Sequence, residues 1–471
     1  MIDKLLCRYK HTILEALQII NDNGKGVVFV LDKECRLCGV LTDGDIRRLL
    51  LSGHHLYEKV STILSGKFSY ARDNENYEAL LAKVNDAVKI VPIVNDQMKV
   101  VDYFQYREDV HIPVAYPDLS GNELKYLTHA FLSTWISSRG IYIDIFEKGF
   151  SKFCNCQYGV ATSNGTVALH LALLALGIGK GDEVIVPDLT FAATINAVIH
   201  AQAKPVIVDI EKESWCIDPM MVKKAITPRT KAIIPVHLYG QPCDMGAIMW
   251  IAKKHRLHVI EDCAEAHGAT FDGKKVGSFG DIGCFSFFAN KIITTGEGGM
   301  CVTNSAVLKD KMKLLRDHGM SQDRKYWHEI IGYNYRMTNL QASIGVAQLE
   351  RIKDILKKRE EIEAEYRAHL SDFPMLEFQR NDIPKRKKIV WLVSVLFKDS
   401  KRDLYIKKFL KKSIEVRPFF YSLSSMDLYK KYARPCPVSK YVASQGINFP
   451  TVSQKRFDQM FRDIRSILKN T

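Results

Sequence analysis

Apolar positions change period along the chain, and each change predicts an element. Residues 12–23 carry Ile13, Leu17 and Ile20 on one helical face. The β-branched run Val27–Leu31 follows, and Asp32-Lys-Glu34 reads as a turn. A second strand is expected at 37–41, leading through Thr42-Asp-Gly-Asp45-Ile-Arg-Arg48 into another helix. A weaker copy spans 76–103, with Ile90–Val94 as its strand. Residues 1–107 therefore read as a small α/β module with an internal repeat.

Pro113, Pro117 and Ser120-Gly121 then mark an extended linker, placed at 108–120. Beyond it the pattern predicts a helix at 122–133, a polar loop Trp135-Ile-Ser-Ser-Arg-Gly140 and a helix at 145–153. Loops of this kind commonly carry binding groups. Strands and helices alternate from there: a strand Tyr158–Thr162, a turn Ser163-Asn-Gly-Thr166, an apolar helix 167–176, and strands at 183–186, 205–209 and 258–262. Such alternation predicts a largely parallel sheet covered on both faces. A large domain is expected at 121–350 and a smaller one at 351–471.

Composition narrows the class. A chain of 471 residues, 46% hydrophobic and 25% charged, is that of a globular protein with more than one core. No apolar run matches a membrane span, and the opening MIDKLLCRYK lacks the apolar core of a secretory signal, so a cytoplasmic protein is expected. The 11 cysteines are scattered and read as reduced thiols. Cys35-x-x-Cys38 has no second pair to complete a zinc site, and no metal is expected. From Arg351 onward 28 Lys and Arg face 14 Asp and Glu, which accounts for the whole net charge of +14. That basic surface fits a phosphate-bearing substrate or an anionic membrane surface. No nucleic-acid motif accompanies it.

Candidate chemistry centres on Lys291 in Ser286-Phe-Phe-Ala-Asn-Lys291-Ile-Ile293, ahead of the glycines of Thr294-Thr-Gly-Glu-Gly-Gly299. Aromatic and aliphatic neighbours favour burial, which lowers a lysine's pKa toward the nucleophilic free amine. An exposed lysine at a strand end fits the same stretch equally well. Two further features bear on it. Ser163-Asn-Gly-Thr166 between strand and helix can offer free N–H groups to a phosphate. Asp262, ending the apolar strand 258–262, lies where open α/β sheets bind ligands, and a carboxylate there could keep a pyridine nitrogen protonated; a helix N-cap is the alternative. Phosphate cradle, carboxylate and buried lysine in this order point to pyridoxal 5′-phosphate (PLP).

Ser163-Asn-Gly-Thr-Val-Ala-Leu169, Val259-Ile-Glu-Asp-Cys-Ala-Glu-Ala-His267, the run to Lys291, Thr294–Gly299 and Gly332-Tyr-Asn-Tyr-Arg-Met-Thr338 resemble the DegT/DnrJ/EryC1/StrS sugar aminotransferases from about Ile112 to the C-terminus. The resemblance implies a type I PLP-aminotransferase fold, with a large domain around a mostly parallel sheet and a smaller C-terminal α/β domain. It also implies that Lys291 bonds the cofactor covalently and moves the proton between C4 of the sugar and C4′ of the cofactor, and that Asp262 pairs with the pyridine nitrogen. Phe191 would stack on the ring, and Glu265 would lie near its phenolic oxygen. The amides of Gly165 and Thr166, with the Ser286 hydroxyl, would bind the phosphate. Asn334 would reach the phosphate of a second subunit, making a homodimer with shared sites. Lysine at 291 argues against the family's sugar dehydratases, which carry histidine there. Trp135–Gly140 and Tyr326–Tyr335 look most like members that aminate C4 of GDP-4-keto-6-deoxymannose, with L-glutamate as donor, for surface polysaccharide such as O-antigen. Trp135, Ser138, Arg139, His328 and Arg417 are the substrate candidates this implies. One departure follows Val416-Arg-Pro-Phe-Phe-Tyr421: the common pattern continues with a proline and, two residues on, a histidine, where this chain has Ser422-Leu-Ser424. That leaves a UDP-linked 4-keto sugar open, and Arg417 as either a phosphate ligand or a structural ion pair.

Residues 1–107 resemble a tandem cystathionine-β-synthase-type (CBS) module. The resemblance implies an adenine nucleotide held by Thr42 and Asp45, with Val101-Asp-Tyr-Phe104 a degenerate second site; a structural or dimerising role is the alternative. A nucleotide-sensing scaffold with an inactive aminotransferase domain is the reading from another class, and glutamate-dependent turnover separates it from the enzyme.

Overall fold

Capping decides where the first helices start. Thr12 accepts from Glu15 N–H while the Glu15 carboxylate accepts from Thr12 N–H, a reciprocal box that opens helix Ile13–Asn23; Gly24, at φ 61°, closes it. Thr42 and Asp45 repeat the device ahead of helix Asp43–Leu51. The computed structural model describes residues 2–64, 68–75, 77–84, 88–105, 112–321, 323–451 and 457–470. Within it the chain divides into two units, Met1–Ile112 with Lys408–Ile414, and Pro113–Lys407 with Glu415–Thr471. Positions 106–111, where the expected linker begins, and Asn76, where the weaker repeat begins, lie outside the described residues.

The N-terminal unit holds two three-stranded sheets of one topology. Leu6–Arg8 runs parallel to Val27–Leu31, which pairs antiparallel with Leu37–Thr42. Ala71–Arg72, Ile90–Val94 and Val100–Gln105 repeat that order. The short strands Leu6–Arg8 and Ala71–Arg72 escape sequence reading because three and two residues show no period.

The second unit is built on a seven-stranded sheet, numbered here β1 (Tyr158–Thr162), β2 (Glu183–Pro187), β3 (Lys204–Val208), β4 (Thr230–Ile233), β5 (His258–Asp262), β6 (Ile282–Ser286) and β7 (Gly299–Thr303). Its order is β1-β7-β6-β5-β4-β2-β3. All neighbours pair parallel except β7, which is antiparallel to both β6 and β1. Both faces are covered: Val184 and Val186 of β2 enter one apolar cluster and Ile185 the other, as the period of two requires. A smaller antiparallel sheet joins Leu376–Phe378, Val393–Phe397, Gly446–Phe449 and Arg417–Pro418. Among the described residues no helix is long and apolar enough to cross a membrane.

In the second unit two helix starts differ from the sequence expectation. Helix α1 (Gly165–Ala175) begins at Gly165, because the Asn164 side chain accepts from Val167 N–H and draws Gly165 and Thr166 into the first turn. Helix Ile141–Phe153 begins four residues before the expected 145. Its cap comes from afar: Asn339 Oδ1 accepts from Tyr142 N–H at 3.1 Å, against Gly140 at φ 147°. A Cβ at Gly140 would lie 2.3 Å from Asn339 Cγ, so only glycine admits that cap.

Candidate active site

The C-terminal ends of β1, β5 and β6 share one edge of the sheet, the edge at which open α/β sheets hold ligands. Asp262 closes β5, 5% exposed, and its Oδ2 accepts from Thr194 Oγ1 at 2.8 Å. Thr194 lies on helix α2 (Ala193–His200) and is itself 3.0 Å from Thr190 Oγ1. Burial pushes the Asp262 carboxyl up from its ordinary value, while Thr194, Ala264 N–H and the Lys291 charge oppose that shift.

Lys291 follows β6 and is half-buried, with most of its side chain covered. Its side chain is 12% exposed, with Nζ 3.6 Å from Glu265 Oε1 and 4.0 Å from the centre of the Trp391 ring. Burial lowers the lysine pKa, and the Glu265 and Asp262 carboxylates only partly restore it. Glu265 is held from its other oxygen by Tyr239 N–H at 2.8 Å, and burial raises its pKa. Trp391 is pinned in turn, its indole N–H donating to Asn290 O at 2.7 Å. His267, fully buried against Phe150, Phe285 and Phe287, has no partner for either ring nitrogen among the described residues, and burial lowers its pKa to about 3. It therefore stays a neutral ring packed among the phenylalanines.

The first turn of α1 meets the end of β6 at Ser286. Gly165 and Thr166 are its first residues, and their amides make no hydrogen bond among the described residues. A Cβ at Gly165 would lie 2.7 Å from Ser286 Cβ, so the absence of a side chain is what lets the two elements approach. Open amides, a serine hydroxyl, a buried carboxylate and a poorly solvated lysine at one sheet edge fit the phosphate, ring nitrogen and carbonyl of PLP.

The remaining predicted residues are more exposed. Phe191 is 60% exposed and its ring packs 5.6 Å from Phe420. Asn334 is exposed, its Oδ1 accepting from Arg336 Nε at 3.0 Å. Trp135 and Arg139 are exposed and Ser138 half-buried on the loop before helix Ile141–Phe153. His328 is exposed, its Nδ1 2.9 Å from His318 O, and Arg417 pairs with Glu415 at 3.1 Å. In the N-terminal unit Thr42 and Asp45 bond each other, and Arg48 bonds Asp45. Sequence reading missed Thr194, Tyr239 and Trp391. Thr194 carried a weak signal, one helical turn beyond Thr190; Tyr239 and Trp391 carried none, since each reaches the site from a distant segment.

A profile of the DegT/DnrJ/EryC1/StrS aminotransferase family matches residues 117–464. The chain is 44% identical to a GDP-perosamine synthase of Escherichia coli O157:H7, over 76% of this chain and 98% of that protein. It is 46% identical to a GDP-perosamine synthase of Caulobacter vibrioides, over 72% of this chain and 93% of that protein. The X-ray structure of an aminotransferase from Psychrobacter cryohalolentis superimposes with a TM-score of 0.71 at 34% identity, covering 75% of this chain and 98% of that one.

Proposed function

Since this chain belongs to the DegT/DnrJ/EryC1/StrS aminotransferase family and is a PLP-dependent sugar aminotransferase, we propose that it aminates C4 of GDP-4-keto-6-deoxymannose with L-glutamate, giving GDP-perosamine for surface polysaccharide in the cytoplasm. Identity of 44–46% to GDP-perosamine synthases across nearly their whole length supports the sugar. A lysine whose side chain is 12% exposed, with its amine beside Glu265 and over the Trp391 ring, would carry the chemistry.

The cofactor, when bound, supplies an electron sink for the carbon that gains or loses a proton. The protein's groups do the rest. Lys291 Nζ, biased by burial toward the neutral amine, would attach to the cofactor and afterwards carry a proton from C4′ of the cofactor to C4 of the sugar. Asp262, oriented by Thr194, would hold the ring nitrogen protonated. Gly165 and Thr166 N–H and the Ser286 hydroxyl would hold the phosphate, Glu265 would lie by the phenolic oxygen, and Phe191 would cover the ring. Trp135, Ser138, Arg139, His328 and Arg417 would meet the nucleotide sugar.

We further infer a homodimer in which Asn334 completes the phosphate cradle of the second subunit. Two exposed apolar groups support it: Leu124, Phe131, Leu132 and Trp135 around helix Glu123–Leu132, and Tyr326, Trp327 and Ile331 just before Asn334, with Ile331 91% exposed. The N-terminal unit would hold an adenine nucleotide as a CBS-type module, and a cavity of about 280 Å³ containing Lys25, Thr42, Phe68, Ser69 and Lys89 supports that. A nucleotide bound there would raise the melting temperature of the full-length protein but not that of a Thr42→Ala/Asp45→Ala variant. Residues 121–471 would carry catalysis.

The deciding experiment offers purified protein a panel of GDP- and UDP-linked 4-keto sugars with glutamate and reads amino-sugar formation by mass spectrometry. Turnover of the GDP-linked 4-keto-6-deoxymannose alone is expected. Preference for a UDP sugar would refute the base and the sugar, and no glutamate-dependent turnover of any would refute the activity.

A further inference from the structure

Asp188 follows β2 directly and is fully buried. It receives three hydrogen bonds from one turn of the C-terminal region. Ser424 N–H donates to its Oδ1 at 2.6 Å, Ser424 Oγ to its Oδ2 at 2.9 Å, and Leu423 N–H to its carbonyl oxygen at 2.9 Å. The turn is closed on itself, since Ser425 N–H and Oγ both donate to Ser422 O. Leu423 is fully buried in the core beneath it.

The two segments tied together here are those that bear on the site. Three residues past Asp188 lies Phe191, and four residues before Ser424 lies Phe420, whose rings meet at 5.6 Å. Phe420 N–H donates to the Tyr239 hydroxyl at 2.9 Å, and Tyr239 N–H holds Glu265. The segment 417–425 is thus pinned to the Asp188 loop at one end and to the Glu265 wall in its middle. Arg417 and Tyr421 are left exposed on it.

Asp188 has no ion-pair partner within 4 Å among the described residues, and a neighbouring buried carboxylate, Asp209, repels it. Asp209 is occupied in the same way, accepting from Val438 N–H, Ser439 N–H and Ser439 Oγ. Lys440 bears on Asp188 through its charge, and burial together with the Asp188 and Asp209 charges pushes the neighbouring Cys436 thiol up, so it stays neutral. A buried carboxylate without a cation is costly, and its hydrogen bonds must offset that cost. The N–H and O–H that bond the Asp188 carboxylate both belong to Ser424.

We propose that Asp188 and Ser424 form a positioning clamp that holds the Arg417–Ser425 segment against the Phe191 loop, and so sets the affinity for the nucleotide sugar without touching the reacting atoms. The clamp rests on the reading that Phe191 faces the bound cofactor and Arg417 the sugar nucleotide. Among the described residues Lys291 and Asp262 bond to Glu265 and Thr194, and neither bonds to Asp188 or Ser424.

Asp188→Ala, Asp188→Asn and Ser424→Ala are prepared in the full chain loaded with PLP. The glutamate half-reaction is followed by cofactor absorbance, and KM is measured for the nucleotide 4-keto sugar that the wild-type enzyme turns over. Asp188→Ala is expected to raise KM at least tenfold and to change the half-reaction rate less than threefold. Asp188→Asn still accepts from Ser424 N–H and can donate to Ser424 Oγ, so it should keep KM within threefold of wild type. Ser424→Ala, which removes only the hydroxyl bond, should raise KM about threefold. If Asp188→Ala does not fold, Ser424→Ala decides: an unchanged KM overturns the clamp. So does an Asp188→Asn variant as impaired as Asp188→Ala, or a half-reaction that slows in step with overall turnover. A wild-type enzyme that fails the glutamate half-reaction would instead refute the aminotransferase reading, and the two failures are therefore distinct.

Discussion

Gly165→Ala tests the phosphate cradle by adding one methyl group. The backbone there needs no left-handed conformation, so alanine costs nothing in φ and slightly favours the helix. Space is the obstacle. The new Cβ would fall 2.7 Å from Ser286 Cβ and 3.2 Å from both Ser286 Cα and Oγ. Two of those atoms, Cα and Cβ, belong to the end of a fully buried strand and cannot swing aside. Ordinary carbon contacts lie near 3.5–4.0 Å, so the start of α1 must retreat from β6 by about 1 Å. Overpacking of this kind costs about 1–3 kcal/mol of stability. The functional effect is larger in consequence, because the retreating turn carries the Gly165 and Thr166 amides. Hydrogen bonds to a charged group contribute about 1.5–3 kcal/mol each. Weakening two of them should cost about 2–4 kcal/mol, on the order of 30- to 1,000-fold in PLP affinity. The assay is titration of apoprotein with PLP, read by cofactor absorbance, beside a urea unfolding curve of the apoprotein. PLP affinity within twofold of wild type would refute the placement of the phosphate at this turn, whatever the stability change.

Mixing Lys291→Ala subunits with Asn334→Ala subunits should restore activity on exchange, because each hybrid dimer has one site free of both lesions; no recovery in proven hybrids would contradict the shared site. Borohydride reduction of the wild-type holoenzyme should fix PLP to a Lys291 peptide, and an unmodified Lys291 peptide from fully loaded, reduced protein would contradict the lysine assignment. Burial pushes the Asp188 carboxyl up to about 6 from 3.8, so the folded state binds its proton more tightly than the unfolded state, and this group's contribution to stability falls as pH rises from about 4 to 6. The full effect is about 3 kcal/mol; Asp188→Asn should therefore gain melting temperature relative to wild type across that window, and parallel pH profiles would count against it. Arg316 donates to Glu147 Oε1 at 2.6 Å and to Ala161 O at 2.7 Å, with Glu147 buried. Arg316→Met should lose about 3 kcal/mol in urea unfolding, and a loss under about 1 kcal/mol would show that Lys313, 3.5 Å from Glu147, suffices alone.

Elements whose bonds close within a few residues are legible in the amino-acid sequence itself. Thr12-x-x-Glu15 and Thr42-x-x-Asp45 announce helix starts because a capping box needs only four consecutive residues. The strands β1 and β5 match the expected bounds because each carries its apolar residues, Val160-Ala161 and Val259-Ile260, in the middle of a short run that ends at a polar residue. Lys291 could be singled out by its aromatic neighbours, yet those neighbours did not separate a buried amine from an exposed one. That choice depends on Trp391, one hundred residues further on and tied to Asn290 O, and on Glu265 held by Tyr239. Asn339 likewise starts a helix at Ile141 from the far end of the domain, and Ser424 reaches back 236 residues to Asp188. Period and capping record what a residue does with its near neighbours; desolvation and long-range hydrogen bonds arise only when segments distant in the chain are packed together, so the chemistry of this lysine belongs to the fold.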